Sequence, residues 1–350
     1  MMFRSSRFVG VPAIAILIAI LSATVVWGQD THGVEPLDEP EEVSVAYVPI
    51  MKFAPLYVAA HRGFFEKYGL EVEINRVGSG TEAIAFLSGG QIDVGGIAIV
   101  TSLWNGWNEG LDLKVFAPGG FEPFEDSPTK VMVRSDLVER GIVDNVSDLR
   151  GRRVAVAGGP GSGGEYLITK ALERGDLTIR DVNIINMGNP DMPSAFESRS
   201  IDAGLLGSPY AQQVEDAGFA EPLATDLVPG LMTVAFVGSG NFIEDRPEVA
   251  ERFTLALTEA AREMQGDDFL SDENVAAYLS SIDATRESIR GDRQLVFDPD
   301  QEIPVDGLAD IERVHRENGR TQYDDPIDLD VVVETSYTEF ARDVLGPYNE

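Results

Sequence analysis

The spacing of apolar residues between positions 43 and 96 switches repeatedly between a period of two and a period near 3.6, and this constrains the fold more than any other feature of the chain. A β-branched run over 43–48 ends at Pro49. A helical stretch over 54–67 follows, with Leu56, Val58, Ala59, Phe64 and Phe65 set against His61, Arg62, Glu66 and Lys67, and it stops before Gly69. Residues 70–74 then alternate as a strand. Gly78-Ser79-Gly80 turns the chain into a helix over 81–87, and residues 92–96 form a third strand. Strands alternating with helices predict a parallel sheet in an α/β fold, whose ligand loops gather at the carboxyl ends of the strands. Such an arrangement suits capture of a small ligand better than catalysis.

The pattern continues with a helix over 101–108 and strands over 113–117 and 130–134. A polar stretch follows, and a second α/β series starts at Arg153: strands over 153–157, 182–187 and 201–206, and helices over 164–174 and 193–198. Another apolar strand spans 231–237, and the remainder reads as helical, with stretches starting at Pro247 and over 274–282, 305–317 and 329–345. The organisation this predicts is a first lobe of 43–134 plus 231–350 and a second lobe of 135–230. The chain crosses twice between them, so the crossovers form a hinge and the C-terminal part is helical.

At the N-terminus, Arg4 and Arg7 precede an apolar run over 11–21, and Val26-Trp27-Gly28 stands before polar Gln29. Residues 1–28 therefore read as a removed export signal, with a retained anchor as the alternative, and place the protein in the periplasm or on the extracellular face. Residues 29–42 are acidic and contain proline, and read as a solvated leader. The chain has no cysteine, which excludes disulfides, thiolate metal sites and a cysteine nucleophile. A net charge of −32 excludes nucleic acid as a partner and suggests solubility at high salt.

Two glycine-rich strand-to-helix junctions are candidates for ligand contact. Gly78-Ser79-Gly80-Thr81-Glu82 offers free amides at a helix start, with Thr81 a candidate cap. Gly159, Gly161 and Gly164 match G-x-G-x-x-G, but no acid ends the next strand as a dinucleotide site requires. Contact with a small ligand through Ser162, Gly163 or nearby amides is the better reading, and no cofactor is expected. No G-x-S-x-G is present and His32, His61 and His315 are scattered, so no catalytic residue is assigned. Asp298, Asp300 and Glu302 lack the glycine of an EF-hand loop and predict no metal site. Trp104, Trp107 and Phe116 read as core. Phe121 and Phe124, in a loop after a strand end, could cover a ligand.

Six ordered blocks, VAYVP, APLYVAAHRGFFEKYGLEVE, GSGTEAIAFLSGGQIDVG, VSDLRGRRVAV, LTIRDVNIIN and SIDAGLLGSPY, together resemble the substrate-binding proteins of ABC importers in the nitrate, sulfonate, taurine and thiamine-pyrimidine group. The resemblance implies the two-lobed periplasmic-binding-protein type II fold. It also implies ligand contacts from the loop over 49–55, which holds Phe53, and from Ser79, Gly80, Thr81, Val100, Thr101, Ser162, Gly163, Pro209 and Tyr210. The chain departs from many relatives where Leu206, Gly207 and Ser208 precede Pro209, because those relatives carry an acid and an aromatic there. Fungal pyrimidine synthases of this fold use a cysteine-rich segment that this chain lacks. The implied function is an exported, monomeric binding protein, not an enzyme, that closes on a small anionic or heteroaromatic solute and delivers it to a membrane permease. Binding of a thiamine-pyrimidine precursor is the alternative solute, and an extracytoplasmic enzyme or sensor subunit the alternative class. Lys52 is the one obvious cation in the matching loops.

Overall fold

The computed structural model describes residues 30–207, 210–291 and 295–349, so the expected export signal lies outside the described residues. Two five-stranded sheets form the scaffold. The first has the order β2-β1-β3-β10-β4, built from β1 (Glu41–Tyr47), β2 (Leu70–Arg76), β3 (Val94–Ala98), β4 (Leu113–Pro118) and β10 (Val234–Ser239). The second has the order β7-β6-β8-β5-β9, built from β5 (Lys130–Arg134), β6 (Arg153–Val156), β7 (Asn183–Asn186), β8 (Ala203–Leu206) and β9 (Ala220–Ala224).

The two sheets share one plan. β1, β2 and β3 are parallel, as are β6, β7 and β8, while the fourth strand of each sheet, β10 or β5, runs antiparallel to its neighbours. Each antiparallel strand is the first strand the chain forms after crossing from the other sheet. The boundary drawn after Arg134 therefore falls one strand late, because β5 already belongs to the second sheet. β9 has no sequence signature: its five residues include Pro222, tolerated because β9 is an edge strand that pairs only with β5.

The crossovers, residues 119–129 and 225–233, are bonded to each other. Glu122 N donates to Leu231 O and Gly230 N to Glu122 O, each at 2.9 Å, and Phe121 bridges Met232. A pair of linked strands is a narrow hinge in the sense the sequence predicts.

Two sequence expectations need correction. The leader is docked as well as solvated: most of its residues are exposed, but β1 starts at Glu41, Leu37 N donates to Tyr68 O at 3.4 Å, Arg252 donates to Glu35 O, and Val34 and Leu37 pack on the core of the first sheet. Gly69, at φ +78°, allows this approach, since a Cβ there would stand 2.7 Å from Leu37 N. The stretch over 54–67 is two helices, Ala54–Arg62 and Phe64–Lys67, because Gly63 ends the first in the left-handed region.

The helix Val305–Glu317 also departs from its assignment to the first lobe alone. Leu308, Ile311 and Val314 share one apolar core with Leu103 and Trp104 of the first lobe and with Leu167, Ile168 and Ala171 of the second.

Candidate functional site

Loops at the carboxyl ends of the parallel strands carry the same five-residue box in both lobes, GSGTE at 78–82 and GSGGE at 161–165. The geometry repeats. Ser79 Oγ accepts from Glu82 N at 3.3 Å and caps the helix Gly80–Ser88; Ser162 Oγ accepts from Glu165 N at 3.1 Å and caps the helix Gly163–Glu173. Each glutamate then reaches back, with Glu82 accepting from Gly78 N at 2.9 Å and Glu165 from Gly161 N at 2.8 Å. The cap of the first box is thus Ser79, not Thr81, which is exposed.

Each box already supplies its helix terminus with a negative charge from its own chain. A dinucleotide needs those amides and that dipole for its pyrophosphate. Glu165 takes the Gly161 amide and Ser162 takes the Glu165 amide, so the G-x-G-x-x-G pattern here builds a cap.

The boxes differ in what surrounds them. Glu82 is exposed, whereas Glu165 is fully buried and bonded by the Arg320 guanidinium, Nη2 to Oε1 at 2.6 Å and Nε to Oε2 at 2.9 Å. Three αL glycines, Gly158, Gly159 and Gly161, shape the second loop, and Gly161 O accepts from both N and Oγ1 of Thr101, at 3.0 and 3.1 Å. Thr101 therefore joins the end of β3 in the first lobe to the second box. Of the residues the sequence singled out, Thr101 and Ser162 meet the opposite lobe or the loop that does, and Gly163 has open space where a side chain would stand.

Residues 305–322 bracket the two lobes. Toward the second, the Tyr166 hydroxyl donates to Asp310 at 2.8 Å, Lys170 lies 3.2 Å from Asp310, and Asn318 Nδ2 donates to Thr169 Oγ1 at 3.0 Å. Burial would raise the Asp310 carboxyl, but Arg313, Tyr166 and Lys170 outweigh it and hold it below the usual range. Toward the first, Trp104 Nε1 donates to His315 Nδ1 at 3.1 Å and Gln322 N donates to Asn105 Oδ1 at 2.9 Å. His315 is fully buried, and with Nδ1 accepting from Trp104 its neutral form carries the proton on Nε2. Burial pushes its pKa down, against smaller upward pulls from the Ser162 backbone and Glu165. Nothing in the sequence pairs His315 with Trp104 or Arg320 with Glu165, which lie 211 and 155 positions apart.

The base of the hinge holds another ion pair, between half-buried Lys52 and buried Glu122. Lys52 Nζ lies 2.6 Å from Glu122 Oε1 and donates to Thr233 Oγ1 at 2.7 Å, while Ser127 Oγ donates to Glu122 Oε2 at 2.9 Å. One lysine after β1 thereby ties both crossovers, and its charge is matched by Glu122. Phe53 is fully buried, edge-on to Phe236 at 5.5 Å and against Gly96, so it packs as core. Phe121 is buried beside Val296 in the crossover, whereas Phe124 is 69% exposed and rests over Gly230. Val100 precedes the helix Thr101–Asn108 without a side-chain cap, and Tyr210 begins the helix Tyr210–Asp216, partly buried. Pro209 lies outside the described residues. Among the described residues no group of three or more histidines and acids could hold a metal, and no helix is long and apolar enough to cross a membrane.

The sequence profile of the NMT1-like family matches residues 37–280. A binding protein of Brucella abortus is 24% identical over 240 residues, covering 67% of each chain, and a 4-amino-5-hydroxymethyl-2-methylpyrimidine phosphate synthase of Uromyces fabae is 25% identical over 61% of this chain and 63% of its own. Among solved structures, the ligand-binding component of an ABC-type import system from Staphylococcus aureus superposes with a TM-score of 0.67 at 15% identity, covering 86% of this chain and 99% of that one. The periplasmic aliphatic sulphonate binding protein of Escherichia coli gives 0.66 at 18% identity, over 85% and 93%. These structural likenesses establish the two-lobed fold.

Proposed function

The chain belongs to the NMT1-like family, and from that premise we propose that it is the solute-binding protein of an ABC importer, exported as a monomer, which closes its lobes on a small solute and presents it to a membrane permease. The observation that carries this reading is the pair of hydrogen-bonded crossovers between two sheets of the same plan, each with a capped loop at the carboxyl edge of its parallel strands. Such a linkage lets binding energy be converted into a closed population that a transporter can recognise. The likeness in fold to an ABC import component and a sulphonate-binding protein supports a small anionic solute, and the sequence similarity to a pyrimidine phosphate synthase supports a heteroaromatic one.

Similarity to a pyrimidine phosphate synthase keeps the enzyme class in view, and with it a thiamine-pyrimidine precursor as an alternative solute. The side chains favour binding over catalysis. His315 has its Nδ1 committed to Trp104, Glu165 is matched by Arg320, and the chain has no cysteine to serve as nucleophile. A thermal-shift panel of nitrate, bicarbonate, taurine, methanesulfonate and 4-amino-5-hydroxymethyl-2-methylpyrimidine tests the proposal. The expected result is a melting temperature that rises with concentration for at least one of them. No shift with any member contradicts the assigned solute class, and turnover of the pyrimidine would assign the chain to the enzymes.

A further inference from the structure

Solute charge is the property on which the cleft gives the least direct sign, since each capped helix terminus already has its own glutamate beside it and Lys52 is matched by Glu122. The lysines locate the missing charge. Lys67 pairs with Glu259, Lys170 with Glu173 and Asp310, and Lys114 donates to Val331 O. Among the described residues Lys130 is the one lysine whose side chain has no hydrogen bond or ion pair, in a chain with 59 acids against 27 lysines and arginines. A half-buried lysine whose side chain has no partner amid so large an excess of acid is the exception here.

Its place in the fold is specific. β5 runs antiparallel to β8, so Lys130, the first residue of β5, is in register with Leu206, the last of β8. It therefore stands at the carboxyl edge of the parallel strands of the second sheet, the edge from which the loop to the Ser162 box also leaves β6. Val131 and Val133 point into one core and Met132 into the other, so alternation puts Lys130 on the Met132 face. That face also carries Leu206, Ala211 and Tyr210, the last at the start of its helix. Lys114 is at the amino end of β4, which runs in the sense of β3, and so lies at the edge away from the cleft.

We propose that Lys130 is the residue that selects solute charge: it holds a singly negative group of the solute at the wall of the second lobe, with Tyr210 beside it. This rests on the solute-binding reading above. An unpaired ammonium and an incoming anion complete each other without displacing an internal pair, whereas an anion at Lys52 would have to compete with Glu122.

Calorimetric titration of the full chain, its Lys130→Gln and Lys130→Arg variants, and Lys114→Gln as a control for net charge tests this, with nitrate, bicarbonate, taurine, methanesulfonate and the neutral pyrimidine as probes. The expected result is that a negatively charged probe binds and that Lys130→Gln weakens it about ten- to a hundredfold, the range for one charge-assisted hydrogen bond. Lys130→Arg should lose less, Lys114→Gln should match the parent, and all four proteins should melt within a few degrees of one another. Equal affinity of the parent and Lys130→Gln for the anion overturns the proposal, as does binding of the pyrimidine alone, and both outcomes leave the solute-binding reading standing. Binding of no probe counts against both.

Discussion

Two copies of one capping box, GSGTE after β2 and GSGGE after β6, share their hydrogen bonds yet live in opposite surroundings. In the first lobe the glutamate is exposed and the box is a local device that ends with its own helix. In the second the same glutamate is buried, bonded by an arginine 155 positions away, and the preceding glycine accepts from Thr101 of the other lobe. Identical local chemistry thus serves helix capping in one place and inter-lobe attachment in the other. The difference comes from the C-terminal bracket, which reaches one box and not the other.

The comparison breaks most sharply at Arg320. Its replacement by alanine leaves Glu165 charged in a fully buried site, and breaking such a pair costs about 3–5 kcal/mol. Glu82→Ala, the matching change in the first box, should cost no more than about 1 kcal/mol. Denaturant unfolding of both variants checks the contrast, and equal losses would mean that the bracket adds nothing.

Next in size are the glycines. Gly161→Ala places a side chain at φ +75° and 2.3 Å from Thr101 Oγ1, so strain and overlap together should cost about 2–3 kcal/mol. Gly80→Ala has ordinary backbone angles and a nearest neighbour at 3.6 Å, and the change should fall within about 1 kcal/mol of neutral. Thermal melts of the pair read this directly.

The bracket should also respond to acid. His315 is buried neutral with its pKa held below the ordinary value, so the unfolded chain binds a proton that the folded one refuses. Stability from this group is complete above about pH 6.5 and falls as pH drops below it toward the depressed folded value. Trp104→Phe removes the donor to Nδ1 and should flatten that slope, as unfolding free energies between pH 7 and 5 would reveal. An unchanged slope would place the acid sensitivity elsewhere.

The smallest expected difference lies in the caps. Ser79→Ala should cost about 1 kcal/mol, and Ser162→Ala slightly more because Ser162 Oγ also donates to Ala157 O at 3.2 Å. Circular-dichroism melts can resolve the order, and a larger loss at Ser79 would reverse it.

Much of this was legible in the chain. The strands from β1 to β3 and from β6 to β8 announce themselves because the inner ones, β3, β6 and β8, are short apolar runs buried on both faces, while the edge strand β2 alternates, and helical periods separate them. Ser79, Thr101, Ser162 and Gly163 fall in the segments that follow β2, β3 and β6. What the sequence hides is set by partners distant along the chain. Glu165 looks like any first-turn acid until Arg320 folds over it, His315 like a stray histidine until Trp104 reaches it, and Lys52 like a free cation until the first crossover brings Glu122. The leader reads as solvated because the backbone contacts that dock it at Gly69 leave no mark in its polar composition. The late lobe boundary has the same origin, since an apolar strand does not state which sheet it will join.

Backbone amide exchange in the unliganded full chain tests the contrast between the boxes most directly, because it reports local opening of each on one scale. The account predicts strong protection over 161–166, whose opening requires breaking the Glu165 to Arg320 pair and the Thr101 contact, and near-unprotected exchange over 78–82. Equal exchange in the two segments, or slower exchange in the first, would contradict it.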